Sequence, residues 1–260
     1  MFDAVGFTIL DIPGYFFFTG IGIVIAVSAF MVFLFQKKYS IQKNMCTLAM
    51  SCIFVFLFAR LFGCISGIYR DVGMGRVVTI DTVKETGIVF YGGLIGLLVS
   101  YSLISGFFYQ DKYIMDVLAV CIPLFHSISR VGCFVGGCCF GVESKSFISI
   151  EYTTRIFDAI NTSYRIPTQL IEAVFNLVLF IYLLLLFRKD EWINKHILRR
   201  YLLIYSIGRF IIEYFRGDLT RGVINGISFS QIVSIAIWLF LILSSIHSHS
   251  EKNKKEDFVL

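Results

Sequence analysis

Residues 16–35 read FFFTGIGIVIAVSAFMVFLF, from Phe16 to Phe35, without one charged side chain. Twenty residues rising about 1.5 Å each make a helix of about 30 Å, the thickness of a bilayer's hydrocarbon core. The stretch therefore predicts a membrane-spanning helix; buried core helices need shorter apolar runs. Upstream, Met1 to Tyr15 carries Asp3 and Asp11 but neither Lys nor Arg, and no cleavage site of small residues. A secretory signal needs a basic start and such a site, so the run is expected to stay in the membrane.

Six further apolar runs follow, at about Met45–Ile65, Ile88–Phe108, Tyr113–Ser129, Pro167–Phe187, Tyr201–Arg216 and Ser228–Ile246. The fourth and sixth of the seven are short and are expected to tilt or to start in the interface. Composition agrees. The 260 residues are 57% hydrophobic and only 16% charged, against about 25% charged in soluble domains. With 28 Phe and 3 Pro, disorder and collagen-like repeats are excluded. Seven cysteines, an odd number lying partly in apolar segments, do not suit a disulfide framework. The net charge of +5 is scattered, so nucleic acid is not an expected partner; loop bias and anionic lipid account for it. The expected fold is an all-α integral membrane protein of about seven transmembrane helices. It forms one domain over residues 1–247, a monomer, with a polar cytoplasmic tail at 248–260.

Basic residues set the orientation. Connections 36–44, 109–112 and 188–200 hold Lys37, Lys38, Lys43, Lys112, Arg188, Lys189, Lys195, Arg199 and Arg200, and the tail adds Lys252, Lys254 and Lys255. These predict the cytoplasmic side, with the N-terminus outside. The long connections 66–87 and 130–166 then fall on the outer face, where loops of that length are expected to carry function.

An ionisable side chain inside a span costs about 2.5–3.5 kcal/mol at the helix centre on insertion scales, so each one asks for a reason. Arg60 lies in the second span, Asp116 at the start of the fourth, Glu172 near the start of the fifth, and Arg209 and Glu213 in the sixth. Arg209 and Glu213 are four apart and continue the row Tyr201, Tyr205; Arg216 follows one turn on. One reading is a structural ion pair. The other is a carboxylate that holds an arginine ready for an anionic ligand, since the guanidinium fork suits phosphate. Glycine pairs four apart, at Gly63/Gly67, Gly92/Gly96, Gly132/Gly136 and Gly137/Gly141, mean close helix packing by default.

Two segments are denser. Phe90-Tyr91-Gly92-Gly93-Leu94-Ile95-Gly96 enters the third span, and Ser129-Arg130-Val131-Gly132-Cys133-Phe134-Val135-Gly136-Gly137-Cys138-Cys139-Phe140-Gly141 leaves the fourth. Such glycine-rich backbone can bring N–H groups close to an anion. On a helical projection His126, Arg130, Cys133 and Gly137 share a face, which aligns an imidazole, a guanidinium and a thiol.

Those segments carry a resemblance to the phosphatidylglycerol–prolipoprotein diacylglyceryl transferase family. Its signature, G-R-[IL]-G-N-F-x-N-G-E-x-[YW]-G, is similar to Ser129 to Gly141 without a gap, with Arg130, Gly132, Phe134, Gly137 and Gly141 on its fixed positions. Its F-H-G-G-L-x-G resembles Phe90 to Gly96. Its R-x-P-S-Q-L-x-E resembles Arg165 to Glu172, and its R-F-x-x-E-x-x-R resembles Arg209 to Arg216. A Gly-Gln pair opening the family's last span resembles Ser230-Gln231. Four positions depart: Tyr91 stands for a histidine, Cys133 and Gly136 for asparagines, and Cys138 for a glutamate. The chain looks like a divergent, cysteine-rich branch.

The resemblance implies transfer of a diacylglyceryl group from phosphatidylglycerol, or a similar anionic phospholipid, to the lipobox cysteine of a secreted preprotein. This would occur at the outer face of a bacterial cytoplasmic membrane. Arg130 and Arg209, with Glu213 orienting the latter, are expected to neutralise the phosphodiester as its C–O bond breaks. Arg60, Gly92, Gly93, Gly132, Cys133, Gly137, Gly141, Gln169, Glu172 and Arg216 are expected to bind substrate. With the family's histidine missing, His126 is the expected base, and Tyr91, with a reference pKa near 10, a poorer one or a phosphate donor. A core histidine bonded to a carbonyl is the structural alternative. The spacing of Cys133, Cys138 and Cys139 fits no standard zinc pattern, and no metal or cofactor is expected; a disulfide or plain packing are the readings for these thiols. A transporter or a thiol oxidoreductase using Cys138 and Cys139 are the competing functions, although no inverted repeat and no C-x-x-C is present.

Overall fold

In the computed structural model the described residues are 2–3, 8–9, 12–108, 113–156, 159–189, 196–217 and 222–257. Helices dominate: α1 (Gly14–Gln36), α2 (Ile41–Gly73), α3 (Ile80–Glu85), α4 (Phe90–Phe108), α5 (Ile114–Val135), α6 (Thr168–Phe187), α7 (Ile197–Ile212) and α8 (Phe229–Asp257). Six of them, α1, α2, α4, α5, α6 and α8, are long and apolar enough to cross a membrane. The seventh expected span, Tyr201–Arg216, corresponds to α7, whose 16 residues reach only about 24 Å. A 3₁₀ turn over Glu213–Phe215 continues it.

The side chains are arranged inside out relative to a soluble protein. On α2, Asn44, Thr47, Ser51, Gly63 and Ser66 are buried, while Phe56 is 63% exposed and Ile53 64%. Large apolar groups on the outside and small or polar ones at helix contacts are what lipid selects. The protein is a multi-pass membrane protein. Of the six apolar helices α5 is the most enclosed: 72% of its most apolar stretch is buried, against 17–39% for the others. It packs on α1, α6 and α7, while α2 pairs with α4 and α7 with α8. Gly96 permits the α2–α4 approach, because a Cβ there would lie 2.6 Å from the Phe54 carbonyl oxygen.

Helix α2 runs on into the expected loop 66–87, to Gly73, and α3 occupies Ile80–Glu85. Its Asp71 is held by Arg70 Nε at 2.9 Å and by the Thr82 hydroxyl at 2.7 Å. Helix α5 likewise passes Ser129 and ends at Val135. The rest of that connection contains the hairpin β4 (Ile150–Ile156) and β5 (Ala159–Arg165), register Ile150 opposite Arg165, with β1 (Phe2–Asp3) parallel to β4. Short ribbons β2 (Thr8–Ile9) with β3 (Ile12–Pro13), and β6 (Val223–Ile224) with β7 (Ile227–Ser228), complete the strands among the described residues. The β6–β7 turn is Asn225-Gly226, both at positive φ (50° and 78°), the backbone a two-residue hairpin needs. Asp116 accepts a hydrogen bond from Leu198 N at 2.6 Å and so caps the N-terminus of α7, which explains this carboxylate structurally.

Candidate active site

Helix α5 presents His126, Arg130 and Cys133 on successive turns of its face towards α6 and α7. Arg130 Nε lies 3.1 Å from His126 Nε2 and 3.0 Å from Glu172 Oε2, and Nη2 donates to Glu172 Oε1 at 3.0 Å. Nη1 points to Cys133 Sγ at 3.9 Å. Glu172, from the first turns of α6, also accepts from Arg209 Nη1 at 3.0 Å. Arg209 Nη2 pairs with Glu213 Oε2 at 2.8 Å, and Arg216 Nη1 stands 3.8 Å from the same oxygen. The charges therefore alternate, Arg130, Glu172, Arg209, Glu213, Arg216, across α5, α6, α7 and the 3₁₀ turn that continues it. All five are buried. Buried charges persist only when paired in this way.

The cysteines meet because of how α5 ends. Gly137 adopts φ +65°, the Gly137 N–H bonds to the Phe134 carbonyl at 3.1 Å, and the Cys138 N–H reaches the Cys133 carbonyl at 3.1 Å. This is a Schellman stop, which brings the third-last helical residue against the second residue past the cap. Those two residues are Cys133 and Cys138. Cys139 also has positive φ, +61°, a backbone that a non-glycine residue adopts at a cost of about 1–3 kcal/mol. It turns its sulfur inward, so that the three Sγ atoms lie within 4.8 Å of one another. All seven cysteines are free thiols, so the expected alternative of a disulfide is not realised here. Hydrogen bonds from the Cys133 and Cys138 thiols push the Cys139 thiol below its ordinary range, with Arg216 and Arg130 adding to the effect.

Helix α6 clamps this loop. Thr168 Oγ1 donates to the Cys139 carbonyl at 2.8 Å and Gln169 Nε2 to the Cys138 carbonyl at 2.6 Å, while Gln169 Oε1 accepts from the Tyr152 hydroxyl at 3.2 Å. Gln169→Leu strands two buried polar groups. It is expected to lower stability by about 1–3 kcal/mol, read as a fall in the thermal midpoint in detergent; an unchanged midpoint would mean the clamp is idle.

A cavity of about 760 Å³ opens over the cluster. Phe30, Leu48, Leu97 and Leu118 line one part, and Arg130, Arg209, Arg216 and the three cysteines another. Tyr91, Gly93 and His126 also line it, so seven of the fifteen expected site residues converge on the cavity. Some do not. Arg60 is spent on the carbonyls of Thr86, Val83 (2.6 Å) and Lys84 (3.3 Å) around the end of α3, and does not join the cluster. Gly92 serves α2–α4 packing at the Phe62 Cβ, 2.7 Å from where its own Cβ would stand, and a Cβ on Gly132 would come 3.1 Å from the Tyr15 carbonyl oxygen. Gly141 sits where a Cβ would come 2.8 Å from the Phe215 carbonyl oxygen, the point at which this loop pairs with Arg216. Gly137 lies beyond the helix and not on its face.

His126 accepts from Arg130 through Nε2, stacks on Phe90 with centroids 3.7 Å apart, and has a buried Nδ1 with no partner among the described residues. In this geometry its Nε2 lone pair is engaged by Arg130, and with Nε2 as the acceptor the ring proton lies on Nδ1. Tyr91 is bonded to Ser234 at 2.7 Å. The sequence named Ser230 only within the Ser230-Gln231 match and gave it no role in the site, yet its Oγ lies 3.4 Å from Arg209 Nη2. The signal was present: Ser228 and Gln231 form a capping box at the start of α8, with bonds of 2.9 and 3.2 Å, which fixes where Ser230 points.

A family model described as prolipoprotein diacylglyceryl transferase matches residues 4–246. Relatives include the phosphatidylglycerol–prolipoprotein diacylglyceryl transferase of Clostridium tetani (strain Massachusetts / E88), 34% identical over 155 residues, covering 57% of this chain and 59% of its own. The similarly named transferase 2 of Clostridium perfringens (strain 13 / Type A) is 29% identical over 242 residues, 88% of each chain. That of Prochlorococcus marinus (strain MIT 9301) is 33% identical over 203 residues, 69% of this chain and 66% of its own. The match thus spans less than two thirds of the Clostridium tetani relative and most of the Clostridium perfringens one.

Proposed function

The chain belongs to the prolipoprotein diacylglyceryl transferase family, and on that footing we propose that it moves a diacylglyceryl group from phosphatidylglycerol to the thiol of a lipobox cysteine. One observation carries this reading: Glu172 joins Arg130 and Arg209 at the polar part of a cavity whose other part is apolar. Acyl chains suit the apolar part and an anionic phosphodiester the guanidiniums. A transporter or a thiol oxidoreductase has no such support in the family.

In this reading the acceptor sulfur attacks the glyceryl carbon, the C–O bond to phosphate breaks, and glycerol phosphate leaves with the electron pair. Arg130 and Arg209 stabilise the charge that grows on the departing phosphate, already oriented by Glu172 and Glu213, so little reorganisation is needed at that moment. Arg216 extends the positive surface, and His126 holds Arg130 Nε while offering its Nδ1–H. The site faces the outer leaflet of a bacterial cytoplasmic membrane, with the N-terminus outside; the density of basic residues in the opposite connections supports that side. The protein acts as a monomer.

Purified protein incubated with phosphatidylglycerol and a lipobox peptide is expected to give a peptide heavier by one diacylglyceryl group and an equal amount of glycerol phosphate. No mass gain on correctly inserted protein overturns the reading. Tyr91 acts through structure alone, since its hydroxyl is bonded to Ser234. Tyr91→Phe removes one hydrogen bond, worth about 1 kcal/mol, and transfer stays within about fivefold of the parent. A thousandfold loss in the same assay would make Tyr91 a proton carrier.

A further inference from the structure

The family reading leaves a gap in the chemistry. Free cysteine, with a pKa of about 8.5, is only about 3% ionised at pH 7, and the two groups placed to deprotonate it, His126 and Tyr91, are both committed elsewhere. Three thiols stand beside that gap.

We propose that Cys133, Cys138 and Cys139 hold a zinc ion whose open fourth position binds and ionises the acceptor thiol; the inference rests on the transferase reading. Four observations converge on it. The three sulfurs lie within 4.8 Å of one another, and tetrahedral Zn–S bonds of about 2.3 Å ask for sulfurs about 3.8 Å apart. The approach requires only small side-chain rotations. The loop is built to present them: the Schellman stop pairs Cys133 with Cys138, Cys139 turns inward at φ +61°, and Thr168 and Gln169 fix both carbonyls. Cys138 is exposed, which gives an ion a way in. Finally, zinc on three thiolates carries one negative charge, and the neighbouring Arg130, Arg209 and Arg216 exceed Glu172 and Glu213 by one.

Three protein ligands with a vacant position is the arrangement of a catalytic zinc, and a thiol that coordinates zinc loses its proton outright. The steps balance. The peptide S–H binds the ion and gives its proton to water. Its sulfur lone pair forms the C–S bond while the C–O bond to phosphate breaks and that electron pair leaves on glycerol phosphate. The thioether product is a neutral, weak ligand and departs. Soft thiolate donors favour zinc over the hard cations magnesium and calcium.

The test uses the full-length protein in detergent. After equilibration with zinc and removal of free metal, elemental analysis should give one zinc per chain. The Cys133→Ser and Cys138→Ser variants should give none, and Cys46→Ser, outside the cluster, one. Bound zinc should shield the three thiols from alkylation while Cys46 reacts, a readout that does not depend on variants folding. In cobalt-loaded protein the visible spectrum should shift on adding a lipobox peptide, but not its Cys→Ser form. Stripping the metal should lower transfer about 30-fold, matching the small ionised fraction of a free thiol, and zinc should restore it. A chain that keeps no zinc, a disulfide among the three, a cobalt spectrum blind to the peptide, or transfer indifferent to stripping each overturns the proposal. A spectral shift on peptide binding without any lipid transfer supports the ion site and overturns the donor reading instead.

Discussion

Arg130→Gln lowers kcat/KM for diacylglyceryl transfer by about 10²–10³-fold, the usual cost of removing one preorganised donor from a developing oxyanion. The size follows from where the guanidinium sits. His126 takes the Nε proton and Glu172 one Nη2 proton, Cys133 faces Nη1, and the remaining donors are left for a ligand's oxygens. Because the group is already fixed, the interaction strengthens as charge moves onto phosphate, so the loss falls on kcat as well as KM. Glu172 keeps its bond to Arg209 in the variant, and the fold should survive. Arg130→Lys should recover less than about a tenth of the parent rate, since one ammonium cannot bridge Glu172 and a phosphate with the same geometry. Initial rates at several phospholipid concentrations check both. An Arg130→Gln protein that inserts normally and transfers within threefold of the parent would move the phosphate elsewhere in the cavity.

The sequence made the membrane helices legible because lipid imposes one simple requirement, an unbroken apolar run of about 20 residues. Their ends were less legible. Helix α5 was expected to stop near Ser129, where polarity begins, yet a helix ends where its hydrogen bonds end, and the stop is Gly137. The i, i+4 relation of Arg209 and Glu213 could be read from spacing, and the bond is there at 2.8 Å. Nothing in spacing relates residue 172 to residues 130 and 209, which lie on three helices, so the residues alone left the central carboxylate an unexplained charge in a span, and only the family resemblance made it an expected substrate-binding residue. Arg60 is the opposite case. It is an isolated cation in an apolar run, and only the fold reveals the carbonyls at the end of α3 that absorb it. The cysteine cluster lay between these cases. Glycine followed by Cys138 marks a Schellman stop that joins residues 133 and 138, whereas the inward turn of Cys139 requires a strained backbone that no propensity announces.

Glu172→Leu destabilises the protein by about 3–5 kcal/mol, the expected cost of stripping one member from a buried ion network. Two guanidiniums lose their shared partner at once; Arg209 retains Glu213 at 2.8 Å, whereas Arg130 keeps no carboxylate. The destabilisation therefore comes from a buried, unmatched Arg130 and not from the missing side chain itself. That distinction has its own experiment. In Arg130→Met/Glu172→Leu both charges go, Arg209 and Glu213 stay paired, and the space fills with apolar groups of similar bulk. Stability should return to within about 1 kcal/mol of the parent, because apolar replacement of a buried pair is often neutral. Transfer should not return, since the phosphate donor is gone. Thermal midpoints and transfer rates of the parent, both single variants and the double complete the cycle. A double variant as unstable as Glu172→Leu alone would show that Glu172 matters through α6 packing, and the network would lose its part in holding the site open for an anion.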